Sequence, residues 1–310
     1  MRINNNSAAF NVWTSYTQNS SNLQKSMQRL STGVISTTDD PAGIGISERM
    51  RSQTKGMAMA RQNAENGISL LQTADAWLQK VNDQLARMKT LAVESNGIGS
   101  DTDKANIQTE FKAMQEEIGR ITSKYTAAGK FNGLYLFRGG NGVAVVTADS
   151  VQTGNISVQV GADVNQKIDI TLKDLQVSNT EVIGTVNTYA YSTNGSINSS
   201  SHTAVSWASI IDTTKMSVAS TSSVGILDTA IDFVANARAS MGAQQTRIEQ
   251  TRSGLLSYED NLRAAESKIR DVDMASESTN FTKYQILTNA ANAMLAQANQ
   301  LPSSVLQLLG

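Results

Sequence analysis

A chain that performs chemistry must gather nucleophiles, proton carriers or metal ligands, and this one has few to gather. It has no cysteine and a single histidine, His202, which removes disulfides and thiol chemistry and leaves poor material for a metal site. The most suggestive acidic pair is Asp39-Asp40, followed by Pro41-Ala42-Gly43. Two adjacent carboxylates without a histidine or third acid nearby are weak ligands. The same residues suit a helix start, with Asp40 as N-cap and Pro41 at the first helical position, while Gly33 suits the end of a preceding helix. Gly140 and Gly142 near Arg138 suggest a phosphate loop, but lack the Lys-Ser/Thr ending and a following helix. With no nucleophile–base pair in view, no catalytic residue, cofactor or metal is expected, and an enzyme is the weakest option.

What the residue types do favour is contact. In the segment 281–310, Tyr284, Leu287, Ala291, Met294, Ala298, Leu301, Val305 and Leu308 follow at steps of three and four, one apolar stripe along a helix. The other face carries Asn289, Asn292, Gln297, Asn299, Gln300 and Gln307, and Lys283 is the only charge. Water-washed helices normally carry Glu and Lys there. Neutral amides fit a face that will itself be enclosed, because a hydrogen-bonded amide costs far less to bury than a charge. The other end mirrors this: from Ile3 to Gln24 there is no charge, and Ala9, Val12, Tyr16, Leu23, Met27 and Leu30 keep a helical stripe. The two ends are expected to pair, and to be incomplete until other copies surround them.

The elements between must hold these ends. Ala64, Ile68, Leu71, Ala74, Leu78, Val81, Leu85, Met88 and Ala92 predict a long helix over about 44–94, with Trp77 beside the stripe as an interface or core residue. A second seam, Ile107, Phe111, Met114, Ile118, Ile121 and Tyr125, follows possible caps at Ser100-Asp101-Thr102-Asp103. After Gly129 the pattern alternates in 131–137, 155–160 and 167–172, which predicts short antiparallel strands. Helix returns at Leu227, with Val234, Met241, Ile248, Leu255, Leu262 and Ile269 at sevens and polar Arg238, Gln245, Arg252 and Glu259 between them. Gly242 and Gly254 are expected to permit close approach of another helix.

The expected fold is mainly α: a long rod-like antiparallel helical bundle or coiled coil made from both chain ends, with a small β-rich hairpin region and a short central insertion. Residues 1–40 with 271–310 form the terminal pair, 41–178 with 224–270 the helical rod with hairpins. Residues 179–223, rich in Ser and Thr with Tyr189, Tyr191 and Trp207, form a small surface insertion. Charge is balanced at 26 Lys+Arg against 27 Asp+Glu, so nothing argues for nucleic acid. No apolar run approaches a membrane span, and the first residues lack a secretory signal pattern.

Several stretches carry a family resemblance. Ala293-Met294-Leu295-Ala296-Gln297-Ala298-Asn299-Gln300-Leu301-Pro302 and the segment 261–273 resemble the C-terminal region of bacterial flagellin. Gln28-Arg29-Leu30-Ser31-Thr32-Gly33, Asp39-Asp40-Pro41-Ala42-Gly43 and the segment 63–74 resemble its N-terminal signature. The spacer from Gly33 to Asp39 is shorter than the family's, and Pro41 stands where Ala is customary. The resemblance implies a structural subunit that polymerises with copies of itself into the extracellular flagellar filament. It further implies export through the flagellum's own channel without a cleavable signal peptide, and meetings with the export machinery, an export chaperone and the filament cap and junction proteins. It also implies a possible Toll-like receptor contact at Arg87, Leu91 and Glu117; the alternative is that Arg87 and Glu117 are ordinary subunit contacts. The rival readings are a hook–filament junction protein and, from another class, a non-polymerising coiled-coil adaptor.

Overall fold

The computed structural model describes residues 6–97, 99–123, 128–137, 156–175, 182–191, 197–213, 216–218 and 222–309. In chain order the elements are α1 (Ser7–Thr32), α2 (Pro41–Ser95), α3 (Asp101–Thr122), β1 (Lys130–Phe131), β2 (Leu134–Tyr135), β3 (Ile156–Gln159), β4 (Lys167–Ile170), β5 (Val182–Tyr191), β6 (Ile197–Ser206), α4 (Trp207–Ile211), α5 (Ser223–Arg270) and α6 (Met274–Leu309). The fold is mainly α, as the periodicity predicts. The chain divides into two compact units, Met1–Lys55 with Tyr258–Gly310, and Gly56–Ser257.

In the terminal unit, Asn6 caps α1 by accepting from Ala9 N at 3.0 Å, and Gly33 ends it in the left-handed conformation at φ 70°. Only glycine takes that backbone without strain. The chain then crosses the returning strand in a minimal bridge. Ile35 N donates to Arg270 O at 2.8 Å, and Val272 N donates to Gly33 O at 3.1 Å. Asp40 caps α2 as expected, accepting from Gly43 N at 2.9 Å. This unit reaches beyond 1–40 and 271–310 because the first turns of α2 pack with the last of α5: Glu48 pairs with Arg270 at 2.8 Å.

The core of the central unit is built from the seams read in the sequence. The α2 positions Ala64 to Ala92 are all buried, and Phe111, Ile118 and Ile121 of α3 and Leu227, Val234, Met241 and Ile248 of α5 close over them. A capping box between Ser100 and Asp103 starts α3. Arg238 forks onto Asp75, its Nε at 2.7 Å, so this polar position of α5 meets α2 through an ion pair. Trp77 is half-buried against the core with the Lys80 ammonium 4.6 Å from its ring centre.

Among the described residues of this unit are three antiparallel hairpins, β1–β2, β3–β4 and β5–β6. The stretch 131–137, expected as one strand, instead folds back at Asn132-Gly133, both at positive φ (46° and 80°). That is the backbone a tight hairpin turn requires. The expected surface insertion is corrected at its C-terminal end. Val205, Trp207, Ile210, Ile211, Met216 and Val218 belong to the core, and the Trp207 and Phe233 rings lie 6.0 Å apart. The close approach expected at Gly242 and Gly254 is also corrected, since a Cβ at either would meet open space within the chain. Tyr125, Arg138, Gly140 and Gly142 lie outside the described residues, as do the side chains of Tyr189, Tyr191, Leu301, Val305 and Leu308.

Candidate functional site

Helices α1 and α6 pack antiparallel. Asn6 Nδ2 donates to Ala298 O at 2.8 Å at one end, and Ser26 donates to Glu277 near the other. The side chains that turn inward follow a heptad ladder. In α1 they are Ala9, Val12, Tyr16, Leu23, Ser26 and Leu30; in α6 they are Glu277, Phe281, Tyr284, Thr288, Ala291, Leu295 and Ala298. Ala9, Val12, Tyr16, Leu23, Leu30, Tyr284, Ala291 and Ala298 thus stand where the sequence stripe expects them.

Three other positions of the stripe are displaced by one residue. Met27 is 56% exposed where Ser26 is buried, and Leu287 and Met294 are exposed beside the inward Thr288 and Leu295. Beside Met27 lies a polar latch that sequence reasoning missed. The Arg29 guanidinium lies 2.9 Å from Asp39 and 3.5 Å from Glu277, and Lys25 reaches Asp39 at 3.4 Å. Ser26, not Met27, faces α6. Both carboxylates are nearly enclosed. The hydrogen bond from Arg29 holds the Asp39 carboxyl below its usual range against the opposing effect of burial, aided by the charges of Arg29 and Lys25. For Arg29, desolvation works downward, but the bonds and charges of Asp39 and Glu277 outweigh it and raise the guanidinium further. A signal was available: Glu277 is the only acid after Asp273, in a region otherwise nearly free of charge.

The displaced residues join a set of outward apolar side chains. Phe10, Trp13 and Met27 on α1, and Ile286, Leu287 and Met294 on α6, all stand exposed, with the Phe10 and Trp13 rings 6.0 Å apart. Trp13 and Met27 sit one step after an inward position; Leu287 and Met294 sit one step before one. In antiparallel helices those steps lead to opposite flanks of the pair. The pair therefore carries an apolar strip on each flank, with Asn289, Asn292, Gln297 and Asn299 exposed around it.

Comparison with known proteins decides what this surface belongs to. The bacterial flagellin N-terminal helical region matches residues 3–142, and the flagellin C-terminal helical region matches residues 224–309. The flagellin of Bacillus subtilis (strain 168) is 39% identical over 322 aligned residues, covering 100% of both chains. The chain belongs to the bacterial flagellins. The flagellar filament 33 kDa core protein of Treponema phagedenis is 36% identical, again over 100% of both chains. A solved structure of a Vibrio parahaemolyticus protein assigned as flagellar hook-associated shares the fold, with 16% identity, TM-score 0.52, and coverage of 75% of this chain and 100% of that one. This flagellin is a structural subunit of the flagellar filament, and its partners there are further copies of itself.

The remaining expected residues of this flagellin lie in the central unit. Arg87 is tied to Glu110 at 2.7 Å, and Glu117 to Arg120 at 2.6 Å. The Arg120 bond, then its charge with that of Lys80, draws the Glu117 carboxyl down despite some desolvation. Leu91 is buried in the core. Among the described residues no helix is long and apolar enough to cross a membrane, and no group of three or more His, Cys, Asp or Glu side chains could hold a metal ion.

Proposed function

We propose that filament growth buries both flanks of the α1–α6 pair against neighbouring copies, one flank of each subunit meeting the unlike flank of the next. The observation that carries this is the exposure of Phe10, Trp13, Met27, Leu287 and Met294 on helices almost without charge. Two different flanks make a head-to-tail contact, which does not close on itself and so generates an open helix of subunits. Residues 1–40 and 271–310 then form the inner core, with Leu301, Val305 and Leu308 extending its packing, and 41–178 with 224–270 lie outside it. The subunit works extracellularly, reached through the flagellum's own export channel without a cleaved signal peptide. The export machinery, a chaperone and the cap and junction proteins are its transient partners. It has no catalytic role, and Arg87 and Glu117 act as ties between and within helices.

Before assembly the pair is thin. Ser26 is the one buried residue of α1, and two helices alone enclose too little to hold their ends firmly. Amide exchange in α1 and α6 is therefore fast in dilute subunits and slow in filaments. Seeded growth followed by electron microscopy tests the reading: a chain lacking 281–310 forms no filaments, and normal filaments from it would overturn the proposal.

A further inference from the structure

Four of the described methionines stand exposed, Met27, Met59, Met274 and Met294, whereas Met57, Met88, Met216 and Met241 are buried. Met27 and Met294 are distinguished by place. One lies on each apolar flank of the terminal pair, at 56% and 58% exposure. A thioether packs as a flexible apolar group; its sulfoxide is polar and chiral, and disrupts a surface that must dehydrate. We infer that Met27 and Met294 are oxidation sites that control whether a subunit can join the filament: the thioethers are open to hydroperoxides in the free chain, and their sulfoxides block addition. The inference rests on the proposed burial of both flanks.

The chemistry is balanced. The thioether sulfur attacks the peroxide, an S–O bond forms as the O–O bond breaks, and the second oxygen leaves as water or an alcohol. Sulfur loses two electrons and the peroxide gains them. No cysteine competes for the oxidant. Because each flank carries one methionine, modification of either spoils one of the two contacts an incoming subunit must make. A flank already covered by a neighbour excludes water and peroxide alike, so completed filament is protected and only unassembled chains and growing ends are sensitive.

The test treats full-length subunits and preformed filaments with hydrogen peroxide, maps added oxygen by peptide mass, and measures elongation from untreated seeds. Expected are oxidation of Met27 and Met294 in subunits, much less of it in filaments, and loss of most elongation by treated subunits. The double variant M27L/M294L, close in volume and apolar, is compared with its own untreated rate, whatever that rate is, and treatment leaves it unchanged. Unchanged growth of oxidised wild-type chains overturns the inference, as does equal inhibition of the double variant, which would place the damage at Met59 or Met274. The underlying reading fails separately: filaments from a chain lacking 281–310 would remove the assembly surface itself. If that truncation abolishes growth while oxidised chains elongate, the oxidation inference alone falls.

Discussion

Asp39 gathers the charge of Lys25 and Arg29 at the junction where α1 ends, and Glu277 shares Arg29 from the first turn of α6. The sign of its pH dependence follows from the lowered carboxyl. A carboxylate depressed on folding contributes stability that is fully present above its unfolded value of about 3.9 and lost as pH falls through its folded value. Amide protection, taken relative to the intrinsic exchange rate at each pH, is therefore expected to fall at the C-terminal end of α1 and the N-terminal end of α6 on acidification through that window. Asp39→Asn flattens this acid response and costs about 1–2 kcal/mol at neutral pH; an unchanged acid profile in the variant would remove Asp39 from the latch. The sequence pointed to Asp40 as a cap and assigned Asp39 no role of its own. Asp40 does cap, while Asp39 is claimed by cations from a helix that ends several residues earlier, a meeting that local pattern does not encode.

At the scale of elements, what was legible is what repeats. The stripes of α2, α3 and α5 predict the core because each helix has one buried face, and a single face leaves one phase. The segment around Trp207 was hidden, since a five-residue helix has no period to read and its Ser/Thr-rich surroundings suggest a surface. Its burial implies a large cost on truncation. Trp207→Ala is expected to destabilise the subunit by about 3–5 kcal/mol, measured by thermal or denaturant unfolding. Two glycines of α2 make a sharper pair. A Cβ at Gly67 would lie 3.5 Å from Val158 Cγ2 and 3.6 Å from Ile170 Cδ1, ordinary contacts beneath the β3–β4 hairpin. A Cβ at Gly56 would stand 2.9 Å from the Ala162 Cβ and 3.3 Å from its Cα, with no flexible side chain to yield. Gly67→Ala is thus expected to stabilise by roughly 0.5–1 kcal/mol through helix propensity, while Gly56→Ala destabilises. Melting of the two variants in the same direction would contradict this packing.

For the whole molecule the instructive feature is the terminal stripe, three of whose positions, Met27, Leu287 and Met294, turn outward. Helices α1 and α6 each carry apolar residues on adjoining ladders, one for the partner within the chain and one for partners outside it. Composition alone cannot say which ladder serves which, and choosing the more apolar residue selects Met27 over Ser26 and Leu287 over Thr288. The distinction is open to experiment because the two ladders should separate folding from assembly. Leu287→Ala truncates a side chain that is 38% exposed in the free subunit, so subunit unfolding should change by about 1 kcal/mol, well under the cost at a core leucine. If the part of Leu287 still exposed is buried between copies, the variant forfeits about 1 kcal/mol per contact, raising the critical concentration for filament growth about fivefold. Leu295→Ala, half-buried against α1, should weaken the helix pair as well as growth, so exchange in α6 accelerates before any neighbour is present. Equal effects of the two variants on the free subunit would mean that the ladders are not distinct. Normal growth of Leu287→Ala filaments would mean that neighbouring copies meet through some other face.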